Sequence, residues 1–137
     1  IADAGADVIA GVGTKIIQPV VWLTGKDASG GSKQVLCAYN LGTLLSDDRD
    51  KSGYVAGMLL ELTVSCDESG KVTFDKTTYT PTYPWRYKTG SQWQYRVLAS
   101  DQDPPDAMAD DQRTAMKKAM NTAAKELEGS AVTLKTR

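Results

Sequence analysis

The stretch AGADVIAGVGTKIIQPVVWL, residues 4–23, decides how the chain is read. Gly5 stands where a helix would close, Val8-Ile9-Ala10 is a short apolar run, and Gly11 and Gly13 open a loop before a second strand-like segment at residues 18–25. A helix end feeding a short apolar strand is the pattern of an αβ unit that enters a parallel sheet. The opening residues read as the last turn of a helix already under way, so the chain is expected to be a fragment or processed product of a longer protein.

Outward from that stretch, the chain alternates short strands with polar turns. Residues 26–32, Lys-Asp-Ala-Ser-Gly-Gly-Ser, form a Gly/Ser turn that should return the chain as a hairpin into residues 34–39. Met58, Leu60, Leu62, Val64 and Cys66 alternate with Glu61, Thr63 and Ser65, a period of two that marks the longest strand signal. Residues 67–71 then read as a hairpin turn and residues 72–79 as the returning strand. Pro81 and Pro84 lack a backbone N–H, which places residues 80–85 at a sheet edge or in a loop. Residues 95–99 read as a last strand. Beyond Pro104-Pro105, Met116, Met120, Ala123 and Leu127 recur at helical spacing and read as a core-packing stripe, with Asp110 placed to cap the start and Gly129 to end it.

Length and charge bound the function. A chain of 137 residues fits one domain with a real core. With 16 basic against 17 acidic side chains and no long run of one sign, no nucleic-acid footprint is expected. The longest apolar runs fall short of the roughly 20 residues that cross a bilayer as a helix, so no membrane insertion by this segment is expected. There is no histidine. Its absence removes Ser-His and Cys-His pairs and the commonest zinc ligand, leaving carboxylates, Lys and Tyr for any chemistry by this chain alone. Cys37 and Cys66 read as buried thiols, with a cross-strand disulfide as the alternative in an exported protein.

Several groups are candidates for a site. Gly11, Gly13, Thr14 and Lys15 could form an anion-binding loop of backbone N–H groups and one ammonium; the alternative is a degenerate loop with Lys15 in solvent. Trp22, Trp85, Trp93, Tyr79, Tyr83, Tyr87 and Tyr95, with Arg86 and Lys88 beside them, would suit a glycan or peptide polymer, or ordinary packing. Asp47, Asp48, Asp50 and Glu68 read as a solvated loop and turn whose spacing does not match a calcium loop. Asp101, Asp103 and Asp106 offer carboxylates, and nothing opposes them across a cleft as glycoside hydrolysis requires.

The order of these pieces resembles the C-terminal half of the bacterial capsule-synthesis family involved in poly-γ-glutamate, whose fold is that of the calcineurin-like metallophosphoesterases. Ala4-Gly5-Ala6-Asp7, Val8-Ile9-Ala10-Gly11 and Gln18-Pro19-Val20 follow the family's helix, strand and Gln-Pro-Val frame. Tyr39-Asn40-Leu41-Gly42-Thr43-Leu44 stands for its Tyr-Ser-Leu-Gly-Asn-Phe marker, and residues 57–64, Tyr79-Thr80-Pro81, Tyr95-Arg96-Val97-Leu98 and the terminal helix follow in order. The family's His-Pro-His falls on Gly13-Thr14-Lys15, and its Asn on Thr43. That pair of histidines would complete a two-metal centre, and Gly, Thr and Lys do not replace it.

The resemblance implies an α/β chain, the C-terminal part of a metallophosphoesterase-like sandwich with mostly antiparallel strands, one αβ unit and a C-terminal helix. Residues 1–129 would be that portion and residues 130–137 a loosely held tail. The implied function is a cell-envelope factor in anionic polymer synthesis or export without its own metal chemistry. The alternatives are a metal-dependent phosphoesterase-type hydrolase when joined to an N-terminal half, or a glycan or peptide binding module. The candidate ligand-binding set is Gly11, Gly13, Thr14, Lys15, Asn40 and Thr43, with no catalytic residue and no metal ligand assigned. No cofactor is expected from this chain, and a divalent metal only in the intact protein. Expected partners are the N-terminal half, an anionic polymer or other envelope-synthesis proteins, and a second copy, because an unpaired strand edge favours dimerisation or domain swapping. Expected localisation is the cell surface or extracellular space, membrane-associated through the N-terminal half.

Overall fold

In a computed structural model, which describes residues 1–49 and 52–136, the chain enters through a 3-10 turn, Ala2–Ala4, closed by Gly5 in a left-handed conformation. Strand β1 (Val8–Ala10) follows, then β2 (Val20–Lys26) and β3 (Ser32–Ala38). β3 lies between β1 and β2, parallel to β1 and antiparallel to β2. The apolar run at β1 is thus the parallel element its sequence suggests. Residues 35–38 of β3 are buried on both faces, as a central strand requires. Leu36 and Ala38 face the main core, and Val35 lies under the N-terminal turn.

The second sheet holds β4 (Gly57–Cys66), β5 (Val72–Thr89), β6 (Gln92–Ala99) and the two-residue β7 (Thr133–Leu134). Both hairpin turns are built alike. Asp27 Oδ1 accepts the N–H groups of Ser29 and Gly31 and the Ser29 hydroxyl, and Asp67 Oδ1 does the same for Ser69 and Lys71. One short acidic side chain thereby satisfies the turn's donors and fixes the register of both strands.

β5 corrects the expectation for residues 80–85. It runs unbroken through both prolines as the central strand, paired with β4 over residues 72–82 and with β6 over residues 82–89. The reason is where each proline sits. The Pro81 carbonyl accepts from Ser100 N just beyond the end of β6, so its missing N–H points off that strand. The Pro84 carbonyl points past the start of β4 and receives the Arg49 guanidinium at 2.6 Å. Each proline is therefore at a local edge of a strand that is central elsewhere, and no ladder bond is lost.

Met58, Leu60 and Leu62 of β4 share the core face with Tyr79, Tyr83 and Trp85 of β5, and helix α1 (Asp110–Glu126) packs Met116, Ala119 and Ala123 against them. The period of two in β4 ends at a bulge between Thr63 and Val64; Val64 and Cys66 beyond it are exposed. Cys66 is therefore not a buried thiol, while Cys37 is, and both are free. Asp110 does not cap α1. Ala109 holds the cap position with no side-chain bond, and the entry is set by Arg113, which donates back to the carbonyls of Pro105, Asp106 and Met108. Asp110 and Asp111 sit in the first turn, where carboxylates suit the helix dipole.

The segment after α1 is also not loose. Ala131 N donates to Val20 O at 2.7 Å, Thr77 Oγ1 donates to Ala131 O, Val132 is buried, and β7 pairs in parallel with Thr78 and Tyr79. Residues 130–135 tie the two sheets together. Among the described residues no helix is long and apolar enough to cross a membrane. The observed architecture is mixed α/β, with mostly antiparallel strands and one C-terminal helix.

Candidate functional site

β1 and β3 point the same way, so the loops that follow them, residues 11–19 and 39–45, emerge side by side at their carboxyl ends. In α/β sheets that end is where ligands bind. Gly11 is the contact between the loops. Its N–H donates to Ala38 O at 2.8 Å, its carbonyl accepts from Leu41 N at 3.3 Å, and a Cβ there would stand 2.0 Å from Tyr39 O. Only glycine permits that approach. Ile17, 1% exposed, anchors the far side of the first loop and bridges to Leu41.

Asn40 is buried. Its carbonyl accepts from Gln18 N and its Oδ1 from Gly42 N, so the side chain holds its own loop. Thr43, also buried, donates its hydroxyl to Lys15 O at 3.1 Å and its N–H to Ala56 O. Residues 41–43 thereby run alongside the start of β4, where Gly57 leaves room for the Thr43 carbonyl. The loop pair is thus also the junction between the two sheets. Gly11, Lys15, Asn40 and Thr43 are brought together; Gly13 and Thr14 stand exposed at the tip, and the Thr14 hydroxyl turns back to Ile16 O.

Lys15 adopts a positive φ of 62°, unusual for a side chain with a Cβ, and its ammonium meets Asp48 Oδ2 at 2.6 Å and stands 5.3 Å from the Tyr54 ring centroid. The cation on this loop is therefore half of an ion pair. Exposed pairs of this kind are worth about 0.2–1 kcal/mol. Asp47 and Asp48, expected in a solvated loop, instead form a bridge with Arg49. Asp48 holds Lys15, Asp47 pairs with Arg86 at 2.5 Å, and Arg49 reaches Pro84 O; Asp50 lies outside the described residues. The Arg86 hydrogen bond holds the Asp47 carboxyl below the usual range. None of these partners was legible locally, because each lies more than 30 residues away in sequence.

The aromatic residues divide. Trp85 is buried, donates to Gln112 Oε1 and stacks on Tyr87, and Tyr79 and Tyr83 are core. Trp93 is 49% exposed with Arg86 and Lys88 over its ring, and Trp22, 40% exposed, meets Phe74 edge-on in a cleft of 1310 Å³ between the two hairpins. Asp101, Asp103 and Asp106 lie along the connection from β6 to α1, and Glu68 sits in the β4–β5 turn. Among the described residues no group of three His, Cys, Asp or Glu side chains is placed to hold a metal ion. Comparison with protein-family profiles, with curated proteins and with solved structures finds no match to this chain.

Proposed function

We propose that the chain is the polymer-binding or scaffolding portion of a cell-envelope factor for synthesis or export of an anionic, poly-γ-glutamate-like polymer, at the cell surface, in a metallophosphoesterase-like fold. One observation carries this reading. The two loops that bear the resemblance, at residues 11–19 and 39–44, lie in contact at the carboxyl ends of parallel β1 and β3, which is where a site in such a sheet belongs. The side chains at the place of the family's histidines, Gly13 and Lys15, supply an open tip and a cation balanced by Asp48, which suits a carboxylate polymer better than a dication. β1 is the edge of its sheet, and the intact protein's N-terminal half, or a second copy, would pair with it.

The test is elemental metal analysis of the intact gene product, purified without chelator, together with a phosphodiester hydrolysis assay and a pull-down on poly-γ-glutamate. Polymer retention that falls with salt, without chelator-sensitive turnover, supports the proposal. Near-stoichiometric metal with chelator-sensitive turnover would replace it with the hydrolase reading, in which the N-terminal half supplies the ligands. Light scattering on this chain that shows a monomer at all concentrations would remove the dimer from the proposal.

A further inference from the structure

A second pocket lies away from the loop pair, between the second half of β5 and the N-terminal half of α1, with a volume of 450 Å³. That is the size of a small-molecule site. Its walls carry Arg49, Tyr83, Asp111, Gln112 and Lys118. Gln112 is rigidly held, since Oε1 accepts from Trp85 Nε1 at 2.9 Å and Nε2 donates to Arg86 O at 2.8 Å. The Arg49 guanidinium lies 5.9 Å from the Tyr83 ring centroid and spends one terminal nitrogen on Pro84 O. Its Nε–H is buried and meets no acceptor among the described residues. A buried donor on a cation normally has a partner, and this one faces none among the described residues. No carboxylate among the described residues pairs with Arg49 or Lys118, whereas Arg86 is taken by Asp47.

We propose that this pocket binds a carboxylate-bearing ligand of amino-acid size, its carboxylate on the Arg49 guanidinium and its charge further balanced by Lys118. A planar carboxylate matches the guanidinium fork. Asp111, the single acid among the described wall residues, opposes a doubly charged phosphate and leaves room for one negative charge, or for the ammonium of an amino acid beside it. Burial raises the Tyr83 pKa against the lowering contact of the Arg49 side chain, so the hydroxyl stays protonated beside the guanidinium. This assignment does not rest on the polymer reading.

The experiment is a titration of the 15N-labelled chain with L-glutamate, and separately with inorganic phosphate, followed by the Arg Nε–H and backbone amide signals. The expected result is a saturable shift of the Arg49 Nε–H signal and of amides at residues 111–118 with glutamate, and a clearly weaker response to phosphate. Lys118→Ala, at an exposed helix position, should weaken glutamate binding roughly tenfold with the rest of the spectrum unchanged, and Arg49→Lys should abolish it. No saturable shift with glutamate, an equal response to phosphate, or unchanged affinity in Lys118→Ala would each overturn the proposal.

Discussion

Replacing Gly11 by alanine tests whether the loop pair is a fixed piece of architecture. The added Cβ would sit 2.0 Å from Tyr39 O, 2.8 Å from its carbonyl carbon and 3.2 Å from Ala38 O, all backbone atoms that cannot rotate away. Contacts of that type do not close below about 3 Å, so the two loops must part by about 1 Å. That movement stretches the Gly11 N to Ala38 O bond from 2.8 Å and the Leu41 N to Gly11 O bond from 3.3 Å beyond hydrogen-bonding range. Two backbone bonds at about 1 kcal/mol each, with a further penalty for polar groups left unpaired, give a loss of about 2–4 kcal/mol. Urea unfolding followed by far-UV circular dichroism reads it, with Val12→Ala as the control. Val12 is 80% exposed in the same loop, and its truncation should stay within about 0.5 kcal/mol of wild type. If Gly11→Ala behaves like the control, the loops separate freely and the site reading built on their contact fails.

Other consequences follow from particular contacts. Asp27 and Asp67 have carboxyls held below their ordinary 3.8, first by the Ser29 and Ser69 hydroxyls and then by the backbone N–H groups of Gly31 and Lys71. A depressed folded pKa contributes stability that is present above the unfolded value and lost as pH falls through the folded one. Denaturant melts between about pH 5 and pH 2 should therefore show a steeper acid loss in wild type than in the Asp27→Ala/Asp67→Ala double variant; parallel curves would refute the turn assignment. Val132→Ala removes two methyl groups from a side chain 5% exposed, and thermal melts should report a cost of about 1.6 kcal/mol; a cost near zero would mean that the segment after α1 is undocked. Brief native labelling with a maleimide should add one group per chain by intact mass, at Cys66. Cys37 is buried and its pKa is raised by that burial, so equal labelling of both would contradict the assigned register of β3.

Much of the strand pattern is legible because it is local. The period of two in residues 58–62 needs no knowledge of a partner, and the repeated Asp-x-Ser-Gly turns carry their own hydrogen bonds. β5 shows where local reading stops. Two prolines are incompatible with a central strand only if both neighbours extend past them, and the length of β4 and β6 is not written in the residues around Pro81 and Pro84. The apparent cap at Asp110 failed for a similar reason, since Arg113 and the preceding carbonyls set the helix entry.

For the candidate site the division is sharper. The sequence by itself determined the parallel character of β1, the glycine-bearing loop behind it, the two Asp-led hairpin turns and the C-terminal helix. Each depends on the period of apolar residues and on backbone preferences expressed within a few positions. Only the tertiary structure decided that Asn40 and Thr43 brace the loop of Lys15, that Asp48 neutralises it, and that Arg49 crosses to β5. Those choices are made by charge and hydrogen-bond partners 22 to 35 residues apart, whose meeting follows from the sheet register and the fit of the core.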